Sequence, residues 1–372
     1  MKVIVSGYVG KKITGIGRSL INWLNCIYDE DIEFVVYTNE DMVEDLVFTN
    51  PRVTVKSYKI SRENSIGNLL WTTFILPIMA IKERADVTLI TNFTLLLFPV
   101  IPTVIFLHDM TEYKVKGKQS KLRVFYRTKL AIPISARKSS RIVTVSQNSK
   151  KDIIEILRTN PNKISFVYNG IDRAFFKRMQ TDKALEIIQK KGWRQPFIVY
   201  VGTIDHPGRN LIRLIQAFEN LLKRHVLTGQ LLLAGRPGKG YEVVEDYINQ
   251  SKYKDNIVLT GYLSDEEIIA MYSLCSAFCY LSLYEGFGMP PVEAMSCGAR
   301  VIVSNTSSLP EAVGDVGMKV NPESVKEIED AIMNAISLSY SDEYMRKVDE
   351  HLDKFSWKKE ANKLSFILKE CK

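Results

Sequence analysis

The chain has 372 residues, with 50 lysines and arginines against 42 aspartates and glutamates, for a net charge of +8. Hydrophobic residues make up 46% and charged residues 25%, which excludes a disordered chain, a collagen repeat and a coiled coil. Five scattered cysteines (Cys26, Cys275, Cys279, Cys297 and Cys371) cannot staple a disulfide scaffold and point to a reducing compartment.

Taken in chain order, Met1 and Lys2 lead into VIVSG (3–7), a β-strand pattern that lacks the charged-then-apolar order of a signal peptide. Thr14-Gly15-Ile16-Gly17-Arg18 reads as a glycine turn, and SLINWLNCIY (19–28) as a helix. EFVVYT (33–38) is a second strand. Two uncharged stretches follow, Asn64–Ile81 and Val87–Leu107. Pro77, Pro99 and Pro102 divide them, so they read as a buried helix and then two buried strands rather than membrane spans. The strands are VTLIT (87–91) and TVIFLHD (103–109), the latter ending on His108 and Asp109. RIVTVS (141–146) is another.

Residues 113–151 hold twelve lysines and arginines and no acid, among them Lys114, Lys116, Lys118, Lys121, Arg123 and Arg127. Val115, Leu122, Val124, Phe125, Tyr126 and Leu130 interleave with them. This pattern suits an anionic membrane surface or an acidic ligand, and equally a solvated helix face. No nucleic-acid module accompanies the charge, so nucleic acid is not the expected partner.

After VYNGID (167–172) and a polar connector, strands resume at PFIVYVG (196–202), QLLLAG (230–235), NIVLTG (256–261), AFCYLS (277–282) and ARVIVS (299–304). Helices fall between them, such as LIRLIQAFENLLKRH (211–225) and DEEIIAMYSLC (265–275), and the tail 355–372 has helical spacing. Strands alternating with helices imply parallel sheets covered on both faces. Two such series give an α/β protein of two Rossmann-like, doubly wound domains: 1–172, a connector 173–195, then 196–354, with 355–372 as a terminal helix.

Chemistry concentrates at strand ends. Tyr284 to Met295 places Gly286 and Gly288 before Pro290 and Pro291, a tight turn into a helix start where backbone N–H groups can converge on an anion. Glu285 and Glu293 flank that turn; carboxylates repel phosphate, so they suit sugar and ribose hydroxyls, or else serve as a cap and a helix-dipole residue. The segment 201–210 brings Thr203 and, just before a helix, Arg209, whose planar fork suits a diphosphate. The Gly15–Gly17 turn lacks the third glycine of a dinucleotide fingerprint, with Leu20 in its place, which leaves a phosphate-approaching loop or a plain turn. His108 is either a site residue or a structural one. No cluster has zinc spacing and there is no Gly-x-Ser-x-Gly elbow; no metal or other cofactor is expected.

The segment 202–323 resembles the C-terminal domain of retaining GT-B glycosyltransferases of family 4, the bacterial surface-polysaccharide and mannosyltransferase-like group. The resemblance rests on GTIDHPGRNLIRLIQAF, LLLAGRPG, LTGYLSDEEIIAMY, EGFGMPPVEAMSCGARVIVSN and SSLPEAVGDVG, supported by TGIGR, FLHD, VSQNSKKDI, YNGID and FSW. It implies two domains facing across a cleft, with the terminal helix crossing back to the first. Glu285 would contact the donor sugar, Glu293 the nucleotide ribose, and the backbone of Gly286, Phe287, Gly288 and Met289 the diphosphate and sugar. His108 would lie beside the transferred sugar and Gly15–Gly17 near the diphosphate. The family often carries an arginine and a lysine where Thr203 and Arg209 stand here, so one positive charge is missing; Arg18 and Lys11 are the candidates to replace it. The implied activity is metal-independent transfer of a hexosyl group from a nucleotide-diphosphate sugar to a saccharide, lipid-linked, acceptor. Configuration would be retained by same-face attack, with the donor phosphate taking the acceptor proton. The protein would work in the cytoplasm, peripherally at the inner face of the cell membrane. A nucleotide-sugar epimerase and a non-catalytic nucleotide-binding protein are the alternatives.

Overall fold

The computed structural model describes residues 1–10, 15–92, 94–117, 119–338 and 341–372; Lys11 and Lys118 lie outside them. The chain divides into two compact units, the first Met1–Tyr113, Gln119–Gly170 and Phe355–Lys372, the second Ile171–Lys354 with residues 114–117.

The first unit is built on a seven-stranded sheet of β1 (Lys2–Ser6), β2 (Glu33–Asn39), β3 (Val53–Tyr58), β4 (Val87–Ile90), β5 (Thr103–Phe106), β6 (Arg141–Thr144) and β7 (Ile164–Phe166). Its order is β3-β2-β1-β4-β5-β6-β7, all parallel, with Val3 opposite Phe34 on one side and Val87 on the other. Central strands are buried throughout, as β-branched runs covered on both faces must be, whereas edge β3 is half exposed. Trp23 anchors this core: its ring stacks on Phe106 at 4.5 Å, and its Nε1 donates to the Tyr168 carbonyl at 3.4 Å.

The second unit carries a six-stranded parallel sheet of β8 (Phe197–Val201), β9 (Gln230–Ala234), β10 (Ile257–Gly261), β11 (Ala277–Tyr280), β12 (Val301–Ser304) and β13 (Met318–Val320), in the order β10-β9-β8-β11-β12-β13. Each sheet reverses its winding once, between β1 and β4 and between β8 and β11. Chain connections diverge at such a point and leave a crevice beyond the strand carboxyl ends, which is where ligands bind in this architecture.

The helix Ser65–Lys82 corrects the sequence reading of a buried helix. It is bound to the first unit through polar groups: Asn68 Oδ1 accepts from Asn39 Nδ2 at 2.6 Å and from the Tyr58 hydroxyl at 2.9 Å, and Thr73 donates to the Leu95 carbonyl at 3.0 Å. Trp71 stacks on Tyr58 at 3.9 Å. The apolar residues Ile66, Leu70, Phe74, Ile78 and Ile81 point outward. A polar anchor inside displaces the hydrophobic stripe to the surface.

The terminal helix Trp357–Lys369 completes the first unit. Buried Glu360 accepts from the Tyr168 backbone N–H at 2.8 Å, and Gly170 leaves room for the Trp357 ring. A methyl at residue 170 would strike both that ring and the Trp357 backbone nitrogen, neither of which can swing aside. Gly170→Ala is therefore expected to cost about 1–3 kcal/mol in the unfolding transition of the first unit, measured by chemical denaturation; an unchanged midpoint refutes the close fit.

Candidate functional site

In the second unit, the loops after β8 and β11 meet at the crevice between those strands. The Leu283 N–H donates to the Gly208 carbonyl at 2.9 Å and ties one loop to the other. Arg209 comes from the first loop and forms an ion pair with Glu285 of the second. Its Nη1 donates to the Tyr280 hydroxyl at 2.8 Å and the Ser282 hydroxyl at 3.3 Å, while its Nε lies 3.3 Å from Asp205 Oδ2. Tyr280 in turn donates to Glu285 Oε1 at 3.2 Å. Burial opposes the guanidinium's charge, but Tyr280, Tyr200 and Asp205 more than offset it and raise the pKa of Arg209 above its ordinary value. Asp205 Oδ1 is buried without a hydrogen-bond partner in the protein.

The Glu285 loop is held from behind by the turn after β12. Ser307 Oγ accepts from the Glu285 N–H at 3.1 Å, Ser308 Oγ donates to the carbonyls of Glu285 and Phe287 at 3.0 Å each, and Thr306 Oγ1 donates to that of Leu283 at 3.3 Å. Gly288 takes φ +99° and starts the helix Met289–Ser296 with prolines in its first positions and no capping side chain. A glycine is needed there because L side chains rarely adopt that φ. The helix start presents backbone N–H groups and a positive dipole end beside Arg209, an arrangement suited to an anion. Glu293 sits in the second turn of this helix, not the first, because the helix begins only at Met289. Thr203 is exposed; its carbonyl accepts from the Tyr200 hydroxyl at 2.9 Å, and it adds no charge to the site.

In the first unit, His108 lies two residues beyond β5, and its Nε2 donates to the Thr91 carbonyl at 2.7 Å. Its ring stacks with Phe106 at 5.5 Å, and burial outweighs Asp109 to push its pKa below the ordinary 6.5. Gly15 and Gly17 are not in a turn: they form the start of the helix Gly15–Cys26. A cavity of about 390 Å³ opens at the β1/β4 crevice, lined in part by Tyr8, Asn68, Thr72, Asn92, Thr94 and Tyr126. Asn92 Oδ1, Thr94 Oγ1 and the Tyr126 hydroxyl are buried with no hydrogen-bond partner in the protein.

The basic segment divides. Lys121 and Arg123 are exposed in the first unit, whereas Lys114 and Lys116, also exposed, cluster with the second. Arg127 is not a free surface cation: it is half-buried in an ion pair with Glu112, whose pKa burial raises despite that pairing.

Asp205, Tyr280, Ser282 and the Thr306–Ser308 turn escaped the sequence reading as site residues. The four-residue spacing of Asp205 and Arg209 and the position of Tyr280 at a strand end were the available signals. Burial pushes Cys275 up to about 12 and Cys279 and Cys297 higher still, so none is an activated thiolate. Among the described residues, no three His, Cys, Asp or Glu side chains are grouped to hold a metal ion.

Two family models match successive parts of the chain, "Glycosyltransferase Family 4" over residues 13–175 and "Glycosyl transferases group 1" over residues 183–351. The O-antigen chain mannosyltransferase B of Escherichia coli is 32% identical over 243 residues, 65% of this chain and 62% of that protein. The serotype-specific mannosyltransferase WbdA of Escherichia coli is 27% identical over 270 residues, 70% of this chain. The chain thus spans 62% and 32% of the lengths of these two curated relatives. Among solved structures, Anabaena HepE in complex with UDP-glucose superposes with a TM-score of 0.75 at 16% identity, covering 100% of both chains, a likeness of fold. With two parallel-sheet Rossmann-like units and both family models in register with them, the chain belongs to the GT-B glycosyltransferases of family 4.

Proposed function

We propose that the protein transfers a hexosyl group from a nucleotide-diphosphate sugar to a saccharide acceptor, with retention of anomeric configuration, in the assembly of a bacterial surface polysaccharide. The observation that carries this reading is the Arg209–Glu285–Tyr280 cluster at the head of the Met289–Ser296 helix. A departing nucleotide diphosphate gathers negative charge, and a guanidinium held among preset dipoles stabilises it without reorganisation. The O-antigen name of the 32% identical relative supports the setting, and a mannosyl donor fits it.

The chain's own groups divide the work. Backbone N–H groups of Gly286 to Met289, with Arg209, receive the diphosphate; Glu293 addresses the ribose and Glu285 the sugar hydroxyls. Because Arg209 is already paired with Glu285, the diphosphate takes over the guanidinium and frees that carboxylate for the sugar. No metal is required in this scheme, since the positive charge comes from Arg209 and the helix start. Neutral His108 orients the sugar. The leaving phosphate oxygen takes the acceptor proton, so the new bond forms on the face the old one leaves. The first unit holds the acceptor: the unpartnered oxygens of Asn92, Thr94 and Tyr126 in the 390 Å³ cavity suit hydroxyl groups. A lipid-linked acceptor at the inner, anionic membrane face fits the basic segment that includes Lys121 and Arg123.

A thermal-shift screen across UDP-, GDP- and dTDP-sugars tests the donor class. One base is expected to raise the melting temperature, because ligand at about 100 times Kd adds about 2.7 kcal/mol to folded-state stability; no shift from any of them counts against the reading. Glu285→Gln removes the carboxylate that competes for Arg209. Nucleoside-diphosphate affinity is expected to hold or rise while transfer falls by about a hundredfold, and a parallel loss of both would make Glu285 a scaffold residue instead. His108 should titrate below 6.5 in a histidine NMR titration of the folded protein. Since its folded pKa lies below the unfolded one, its stabilising contribution is complete above pH 6.5 and is lost as pH falls through the folded value. A midpoint above 6.5 would contradict a neutral imidazole at work.

A further inference from the structure

From the inverted polarity of the Ser65–Lys82 helix, we infer that its outer face, together with the neighbouring 121–138 helix, inserts into the interfacial layer of an anionic lipid bilayer. This rests on the reading that the protein works at a membrane, and it names the element that enters it. Ile66 is 73% exposed, Leu70 51%, Phe74 44%, Ile78 46% and Ile81 61%. They fall four, four, four and three residues apart, which places them on one side of a helix about 27 Å long by its rise of 1.5 Å per residue. On the inner side, Asn68 and Thr73 bond to the unit behind them, Thr72 donates to the Asn68 carbonyl within the helix, and Trp71, Leu76 and Ala80 are buried beside them. Water would favour the reverse arrangement, so a continuous apolar stripe facing outward marks a surface that something else covers.

The stripe extends beyond that helix. Phe98 is 55% and Val100 49% exposed, the Phe98 ring lies 5.8 Å from Phe74, and the Lys138 ammonium sits over it at 5.6 Å. Ser135 Oγ accepts from the Leu96 N–H and donates to the Thr94 carbonyl, each at 2.9 Å, which fastens the 121–138 helix to the same connecting segment. That helix adds Leu122, Phe125 and Leu130 to the apolar surface and exposed Lys121, Arg123, Lys129, Arg137 and Lys138 around them. No acidic residue occurs in 64–82, 94–100 or 119–151. Of the acids close by, Glu83 is bonded to Lys56 and Tyr37 and Glu112 to Arg127, while Glu63 is exposed at the amino end of the first helix.

Charge selects the occupant. A second copy seated on this face would bring these cations against their own equivalents, whereas anionic headgroups neutralise them while the acyl boundary takes the apolar side chains. The helix does not span the bilayer, because one of its sides is bonded to the rest of the unit.

The test is co-sedimentation of the full chain with vesicles of phosphatidylcholine alone and of phosphatidylcholine mixed with phosphatidylglycerol. Wild type is expected to bind the anionic vesicles preferentially. Leu70→Ser combined with Ile78→Ser, both exposed and outside the donor and acceptor sites, should weaken that binding by about tenfold or more. Donor-induced thermal shifts should stay intact, which shows that the fold and the second unit are preserved. In a separate variant, Phe98→Trp should blue-shift its emission on mixing with the anionic vesicles. Binding by wild type with no loss in the double variant and no spectral shift overturns the insertion but leaves the membrane reading standing. Failure of wild type to bind anionic vesicles overturns both. Lipid-free dimerisation that the double variant abolishes assigns the face to a second copy and overturns the lipid assignment.

Discussion

A guanidinium withdrawn from water needs counter-charge, and in the second unit that requirement organises the site. Arg209 draws together Asp205, Ser282 and Glu285 from the loops that follow two different strands, and Tyr280 from the end of one of those strands. Those strands are neighbours only because β8 and β11 flank the point where the sheet reverses its winding. Buried ion pairs contribute little net stability, since desolvation offsets most of the attraction, so the cluster fixes loop geometry more than it strengthens the fold. The Thr306–Ser308 turn does the complementary job with neutral bonds, holding the backbone of the Glu285 loop while its side chain remains free to change partner.

The two crevices differ in chemistry although the sheets are alike. The second unit's is charged and lies at a helix start. The first unit's is lined mostly by amide, hydroxyl and apolar groups, with Arg127 paired to Glu112 and with Arg123 also in the lining. A charged, dipole-lined crevice favours a phosphate-bearing ligand, and one rich in hydroxyl and amide groups favours hydroxyls; the proposed division between donor and acceptor rests on that contrast.

Much of the fold was legible because buried parallel strands are continuous apolar runs: VTLI, FIVYV and QLLLA read directly as strands. The edge strands β3, β7 and β13 were not seen, being half exposed or three residues long. Glycine and proline punctuation located the Glu285 loop, whereas Asp205 and Tyr280 carry meaning only once two loops are known to meet. The helix at 65–82 misled for a physical reason. Apolar composition predicts burial only when water is the sole solvent considered, and Asn68 and Thr73 supply an anchor that composition hides. Arg127 misled in the opposite direction, since its partner Glu112 lies just outside the acid-free run.

The return of Trp357–Lys369 to the first unit has a bearing on synthesis. Nascent chain emerges from its amino end, so the Tyr168 amide and the space above Gly170 wait for Glu360 and Trp357 until the whole second unit has left the ribosome. The second unit, contiguous from residue 171 to 354, reaches completion before the one that precedes it in sequence. Loss of the Trp357–Lys369 helix would therefore damage the unit built from residue 1 onward and spare the one that precedes the helix in sequence.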